Sequence, residues 1–296
     1  MRTPIFTTVR VAVLVAASAC SVHRTKPVPL WYGPNHELLV DATVSGKPLR
    51  LQVDTGSSTT ILTAATCERL DIMLRTPFAP ADFHATGAGG NIEGAGLILD
   101  ASADIAGHHM HHMRGAMVDI DTAHGQIDGV IGMDVLGRYT TVIDLDKHEF
   151  ALHREGDDEW RRAADLVAIA YSPSRSGHVI VNVRVGGKLV RALVDVGANR
   201  TFASPDAVAM EEADAVRVIT EAVGADRKRV SFREVSQLAF EIGGVPIVAP
   251  QVLVAPLPIF RRLVGDGPAM IIGADALAGR RLVIDPVRQV VYLSRR

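Results

Sequence analysis

The chain has 296 residues, of which 48% are hydrophobic and 22% charged, so its composition argues against an intrinsically disordered protein. This length is enough for one large or two medium-sized domains, each with its own core. A net charge of −2 gives no support to electrostatic binding of nucleic acid. Short runs of valine, alanine, glycine and isoleucine favour strands over long helices.

The first predicted element is an export signal at residues 1–20. Arg2 and Arg10 give it a positively charged region, and a short apolar run leads to small residues and Cys20. The apolar run is too short to span a bilayer. Its end resembles a bacterial lipoprotein cleavage site, although Ala17 replaces the usual bulky aliphatic residue. We therefore expect an exported, periplasmic protein that is lipid-anchored to the membrane through Cys20, with an ordinary cleaved signal as the alternative.

The rest of the chain repeats itself with a constant offset. The segment LQVDTGS at 51–57 matches ALVDVGA at 192–198, and the aspartates are 195 − 54 = 141 residues apart. Three further pairs keep the offset of 141: 45–47 with 186–188, 130–136 with 271–277, and 142–144 with 283–285. These ordered matches indicate a tandem duplication. We place its units at residues 28–153 and 166–296, joined by a charged linker at 154–165 that contains a short helical turn.

Each unit is predicted to consist mainly of short strands. An alternating strand is followed by a glycine turn and by a second apolar strand that runs into the aspartate, and a hairpin follows later. We predict strands at residues 38–44, 95–105, 113–120, 179–185, 238–242 and 246–254, and helices only at 64–70, 134–138 and 205–213. The predicted fold class is all-β, with two similar barrel-like lobes.

The repeated aspartate motif carries a family resemblance. Asp54-Thr55-Gly56-Ser57 follows an apolar strand, and an apolar-apolar-glycine triplet begins 130 − 54 = 76 residues later. With its repeat at Asp195, this combination resembles the aspartic proteases, most closely bacterial retropepsin-like proteases that join two such units in one chain. The resemblance covers residues 28–296. It implies two acid-protease β-barrel lobes with an active-site cleft between them, and peptide-bond hydrolysis without a metal or organic cofactor.

The chemistry explains why two carboxylates are needed. Two carboxyl groups a few ångströms apart share one proton at mildly acidic pH. The ionised group takes a proton from a water molecule between them, while the protonated group polarises the carbonyl of the substrate. We expect Asp54 and Asp195 to be this pair. The residues expected to support them are Thr55, Gly56 and Ser57 in the first motif, and Val196, Gly197 and Ala198 in the second.

The second motif departs from the family pattern at Val196, where the resemblance implies threonine or serine. Those hydroxyls are expected to bond across the lobe interface, so valine removes half of a reciprocal lock, at a cost of about 1 kcal/mol. Ser57 can donate its hydroxyl to Asp54, whereas Ala198 offers Asp195 only its backbone. We therefore expect Asp54 to be the ionised base and Asp195 the protonated acid.

A glycine-rich segment follows the first helix. The resemblance implies a mobile hairpin, or flap, that covers the cleft and binds the substrate backbone. Its expected residues are Thr86, Gly87, Ala88, Gly89 and Gly90. The alternative is a plain surface hairpin.

Other polar residues have simpler interpretations. The histidine cluster at 108–112 invites a metal site, but a solvated strand is favoured because no second cluster supplies ligands. Asp134 and Asp275 are predicted to be helix N-caps. Cys67 is expected to be a buried structural thiol.

Three functions remain open. An aspartic endopeptidase acting on a peptide or protein substrate is favoured because both aspartates persist. A pseudo-protease that serves as a periplasmic peptide-binding or scaffolding module is the main alternative, and a metal-handling protein is the third. No nucleic-acid partner is expected. A monomer is expected because one chain supplies both aspartates.

Overall fold

A computed structural model describes residues 25–71, 85–87, 90–92, 96–118, 127–162, 165–208, 216–223 and 229–295. The predicted export signal with Cys20, and the flap residues Ala88 and Gly89, lie outside these ranges, so export and lipidation stay predictions. The predicted strand end at 119–120 and helix residues 209–213 also lie outside them.

Strands dominate the described part of the chain. Those of the first half are β1 (Val28–Pro29), β2 (Trp31–Tyr32), β3 (Leu38–Val44), β4 (Lys47–Val53), β5 (Ile61–Thr63), β6 (Ala85–Gly87), β7 (Gly90–Ile92), β8 (Gly96–Ile105), β9 (His108–Val118), β10 (Gly129–Ile131), β11 (Thr140–Asp144) and β12 (Glu149–His153). Those of the second half are β13 (Leu166–Ala170), β14 (Ser172–Pro173), β15 (Val179–Val185), β16 (Lys188–Val194), β17 (Thr201–Ala203), β18 (Val216–Val223), β19 (Arg229–Ile242), β20 (Val245–Val254), β21 (Ala269–Ile272), β22 (Arg281–Asp285) and β23 (Val290–Ser294).

The helices are short. They are α1 (Ala64–Leu70), α2 (Met133–Leu136), α3 (Pro258–Val264), α4 (Ala274–Leu277) and a 3₁₀ helix at Glu159–Arg162, which is the helical turn predicted in the linker. Among the residues described, no helix is long and apolar enough to cross a membrane.

Each half of the chain folds into a closed barrel. In the first lobe six strands follow the order β3-β4-β10-β5-β9-β8, and pairing of β3 with β8 closes the sheet. In the second lobe the order is β15-β16-β21-β17-β20-β19, closed by pairing of β15 with β19. The two orders correspond strand by strand, so the all-β, two-lobed fold expected from the duplication is confirmed.

Alternating apolar residues explain why these strands form barrels. In β3, Leu38, Val40, Ala42 and Val44 are buried while Asp41 is exposed. The equivalent strand β15 buries Val179, Val181, Val183 and Val185 in the same way and exposes Asn182. One face of each strand therefore lines its barrel core, and the other faces outwards.

A third sheet joins the two lobes. It has six strands in the order β1-β12-β11-β22-β23-β13, with antiparallel β11 and β22 at the boundary between the lobes. Val142 of β11 lies opposite Val283 of β22, which is its own equivalent in the duplication because 283 − 142 = 141. An approximate twofold axis therefore passes between these two strands. The 3₁₀ helix packs the buried Trp160 against both valines.

Three predicted element bounds need correction. The turn between β8 and β9 lies at Ala106 and Gly107, both in left-handed backbone, so β9 starts at His108 rather than at residue 113. Strand β19 starts at Arg229 rather than at residue 238, since a left-handed Gln237 interrupts its alternation. Residues 205–208, expected to be helical, form a turn.

Candidate active site

The two aspartates lie at equivalent points, directly after β4 and β16. We call residues 54–57 the first aspartate turn and residues 195–198 the second. Asp54 N–H donates to the Ile131 carbonyl at 3.1 Å, and Asp195 N–H donates to the Ile272 carbonyl at 3.0 Å. Both acceptors belong to strands that run parallel to the strand leading into the aspartate. The apolar triplets therefore fix where each turn begins.

The glycine of each triplet allows this close packing. A Cβ at Gly132 would lie 2.5 Å from the Thr59 carbonyl carbon, and one at Gly273 would lie 2.4 Å from the Arg200 carbonyl oxygen. Any side chain at either position would push the backbone that follows the aspartate turn away. The sequence pattern of two apolar residues and a glycine thus has a steric cause.

Both carboxylates receive the same backbone hydrogen bonds. Oδ1 of Asp54 accepts from Gly56 N–H at 2.8 Å and from Ser57 N–H at 2.9 Å. Oδ1 of Asp195 accepts from Gly197 N–H at 3.0 Å and from Ala198 N–H at 3.1 Å. These bonds hold one oxygen of each carboxyl group in place, and they are equivalent in the two lobes.

The two carboxyl groups meet across the boundary between the lobes. A Cβ at Gly56 would lie 2.3 Å from Cγ of Asp195, and a Cβ at Gly197 would lie 2.2 Å from Cγ of Asp54. Each glycine therefore makes room for the carboxyl group of the opposite lobe. The side chains of Asp54 and Asp195 are also hydrogen-bonded to each other, which requires a proton between them.

Burial and proximity shift the titration of this pair. Removal from water raises the pKa of Asp54 above its ordinary value. Burial raises the pKa of Asp195 well above its ordinary value, and the neighbouring charge of Asp54 raises it further. The pair therefore holds one proton over a range that extends above the ordinary pKa of aspartate.

Half of the expected lock between the lobes is present. The Thr55 hydroxyl donates to the Val194 carbonyl at 2.8 Å and accepts from Val196 N–H at 3.0 Å. Val196 is buried, with 1% of its surface exposed, and has no hydroxyl with which to return these bonds. This agrees with the expectation from the sequence.

The predicted role of the Ser57 hydroxyl is wrong. It donates to the Thr59 carbonyl at 2.7 Å, and only the backbone N–H of Ser57 reaches Asp54. Because Ala198 supplies the same backbone bond to Asp195, the hydroxyl does not distinguish the two carboxyl groups. The difference in their pKa values comes from burial and mutual charge.

The predicted helix caps are also wrong. The N-caps of α2 and α4 are Gly132 and Gly273, neither of which makes a side-chain cap. Asp134 instead accepts two hydrogen bonds from Thr60 at 2.8 Å, and Asp275 accepts one from Thr201 at 2.7 Å. These two aspartates fasten the chain that follows each aspartate turn, and burial raises their pKa values.

The flap segment forms a hairpin in its described part. Strands β6 and β7 pair antiparallel, with Thr86 opposite Asn91 and Gly87 opposite Gly90. They make a two-stranded sheet separate from the barrel. Contact with a substrate stays a prediction.

The remaining candidates have structural surroundings. His108 is buried and lies 2.6 Å from the Leu152 carbonyl, while the exposed His109 lies 2.8 Å from Asp104. Over the described ranges, no group of three or more His, Cys, Asp or Glu side chains is arranged to hold a metal ion. Cys67 is buried in α1, and burial raises its pKa to about 11, as suits a structural thiol.

Sequence reasoning missed two side chains at this site. Gln52 precedes Asp54 by two residues in β4, and its amide reaches the Gly197 carbonyl at 2.8 Å. His178, which precedes β15, hydrogen-bonds the Gly56 carbonyl. Comparison of the repeats offers a signal for both, because the duplication places Leu193 and Glu37 at the equivalent positions.

Two barrels related by an approximate twofold axis, with paired aspartates where they meet, define the class of two-lobed aspartic-protease folds. A family model described as aspartyl protease matches the chain twice, at residues 40–135 and 181–276. These matches cover more than half of the chain, which therefore belongs to the aspartyl protease family, of the retropepsin-like kind. A search of curated proteins finds no significant match.

Proposed function

We propose that this protein is an aspartic endopeptidase that hydrolyses peptide bonds with a water molecule activated between Asp54 and Asp195. The observation that carries the proposal is the direct hydrogen bond between these two carboxyl groups, each lodged against the glycine of the opposite turn. A buried carboxyl pair that holds one proton contains both a base and an acid.

In the proposed reaction the ionised carboxylate removes a proton from the water molecule. The resulting hydroxide attacks the carbonyl carbon of the peptide, while the protonated carboxyl group donates its proton to the carbonyl oxygen. The tetrahedral intermediate then collapses. Its C–N bond breaks, the amine nitrogen takes a proton from the carboxyl group that accepted it from water, and the second carboxyl group recovers its own proton. Two carboxyl groups and one water molecule balance every step.

The geometry supports this division of roles. Backbone N–H groups bind Oδ1 of each aspartate, and they hold the carboxyl groups in place without using a titratable side chain. The higher pKa of Asp195 favours it as the carrier of the proton, with Asp54 as the base. This assignment matches the expectation from the sequence, although for a different reason.

Cleavage of an unfolded protein at mildly acidic pH tests the proposal. The wild-type protein is expected to cleave it, and Asp54→Asn and Asp195→Asn are each expected to lower the rate at least about 100-fold, because each removes a general acid or base. Asp146→Asn is the matched control, since Asp146 is exposed in the turn after β11. It should cleave like the wild type.

One observation favours the alternative of a peptide-binding pseudo-protease, namely the missing hydroxyl at Val196. Equal background cleavage by the wild type and both asparagine variants, together with retained binding of peptides, would support that alternative and overturn the proposal.

A further inference from the structure

The carbonyl groups of the two motif glycines each accept a hydrogen bond from a side chain of the opposite lobe. Gln52 of the first lobe donates its Nε2–H to the Gly197 carbonyl at 2.8 Å. His178 of the second lobe donates to the Gly56 carbonyl. Both acceptors lie between the aspartate and the residue whose N–H binds it. A donor that fixes either carbonyl therefore also orients the peptide units that hold the carboxylate.

The two donors are not related by the duplication. The equivalent of Gln52 is Leu193, because 52 + 141 = 193, and the equivalent of His178 is Glu37, because 178 − 141 = 37. Leu193 is buried in an apolar cluster and Glu37 binds the backbone N–H of Asn35. Two unrelated side chains thus make bonds at points that the approximate twofold axis relates.

His178 is built to act as a donor. Its surface is 5% exposed, and Nδ1 lies 3.0 Å from the Ser174 hydroxyl. The Ser174 oxygen also accepts from the N–H groups of Ser176 and His178, so its own hydrogen is free to point at Nδ1. Nε2 then carries the ring proton and faces Gly56. Burial lowers the pKa of His178, which keeps the ring in this neutral form.

The direction of the His178 bond matches the missing half of the lock. Thr55 reaches from the first lobe to backbone atoms of the second, at Val194 and Val196. Val196 cannot reach back, because it has no hydroxyl. His178 does reach from the second lobe to the backbone of the first, whereas Gln52 repeats the direction that Thr55 already covers.

We propose that Gln52 and His178 form a second lock between the lobes, in which His178 replaces the bond lost at Val196 and so positions the first aspartate turn. Both are positioning residues, since each acts on a carboxyl group through the backbone of its turn. The consequence for catalysis rests on the proposed function, whereas the consequence for the turns does not.

The test uses His178→Leu and Gln52→Leu in the full chain, each alone and combined with Val196→Thr. We expect His178→Leu to lower kcat about tenfold with little change in KM, as the loss of one positioning hydrogen bond implies. Val196→Thr should restore most of this loss, because its hydroxyl can return the missing bond. It should restore little of the loss in Gln52→Leu, whose bond has a different direction.

Amide hydrogen exchange supplies a readout that does not depend on activity. His178→Leu should speed exchange at residues 54–57 at least about tenfold, and Val196→Thr should slow it again. Should the wild type prove to have no peptidase activity, this exchange still decides whether the lock exists. Ser174→Ala is the control for simple loss of packing, because it leaves Nε2 as a donor and should have a much smaller effect.

His178→Gln guards against a variant that fails to fold, since it keeps an N–H donor, and it should recover part of the activity and protection. Wild-type kcat and wild-type exchange in His178→Leu would overturn the proposal. Equal rescue of both leucine variants by Val196→Thr would overturn the specific pairing of His178 with Val196.

Discussion

At the scale of single residues, the sequence predicts what the aspartates do better than how they are held. Asp54, Asp195 and the deviation at Val196 follow from a motif and its repeat, because the residue types themselves carry the signal. The target of the Ser57 hydroxyl and the contacts of Gln52 depend on the approach of distant chain segments. No local pattern reports such an approach, and only the difference between the repeats at 52 and 193 draws attention to it.

Thr55 offers the sharpest prediction at this scale. Thr55→Val would make the two motifs alike and would leave two buried backbone groups, the Val194 carbonyl and the Val196 N–H, without their partner. We expect the free energy of unfolding to fall by about 2–4 kcal/mol, since each unpaired buried group costs about 1–3 kcal/mol. Urea unfolding followed by circular dichroism measures this.

Thr55→Ser is the matched control, because it keeps the hydroxyl and removes one methyl group. It should lose much less stability than Thr55→Val. A valine variant as stable as the serine variant would show that the hydroxyl does not hold the lobes together.

At the scale of elements, strands were predicted well where apolar residues alternate and poorly where they do not. The alternation of β3 and β15 fixes which face of each strand is buried. Every residue of β11 is buried, so its pattern indicates a strand covered on both faces without naming the strand beside it. Its pairing with β22 joins segments 141 residues apart, and neither sequence specifies that register.

The element that covers this shared sheet should be important for stability. Trp160 in the 3₁₀ helix has 2% of its surface exposed, and its ring centroid lies 4.8 Å from that of Tyr292. We expect Trp160→Ala to lower the free energy of unfolding by about 3–5 kcal/mol, because the substitution leaves a cavity against strands of both lobes. Circular dichroism is the suitable probe, since fluorescence would change with the tryptophan.

Trp31→Ala is a control for this prediction, because Trp31 is 47% exposed on β2. Its effect should stay within about 0.5–1 kcal/mol. Similar losses in both variants would contradict the view that Trp160 stabilises the boundary between the lobes.

At the scale of the whole molecule, the duplication is the feature that the sequence reveals best. A constant offset of 141 predicted two equivalent lobes, and the pairing of Val142 with Val283 shows the same relation in space. The bonds between the lobes do not follow the duplication. Thr55, Gln52 and His178 each lack a like residue in the other half, so the molecule has a symmetric fold around an asymmetric lock.

The account makes a specific prediction for the pH dependence of activity. The active form holds one proton on the pair. Acid therefore lowers the rate by protonating the base Asp54, and alkali lowers it by ionising the acid Asp195. Because the pKa of Asp54 is raised, the acidic limb should lie above the ordinary value of about 3.9, and the alkaline limb should lie higher still.

The pH profile of kcat/KM for peptide cleavage, measured from about pH 3 to pH 8, is the most direct test of the central claim that Asp54 and Asp195 share one catalytic proton. We predict a bell-shaped profile for the wild type and no measurable bell for Asp195→Asn. A rate that keeps rising into alkaline pH, or a bell that Asp195→Asn leaves unchanged, would contradict it.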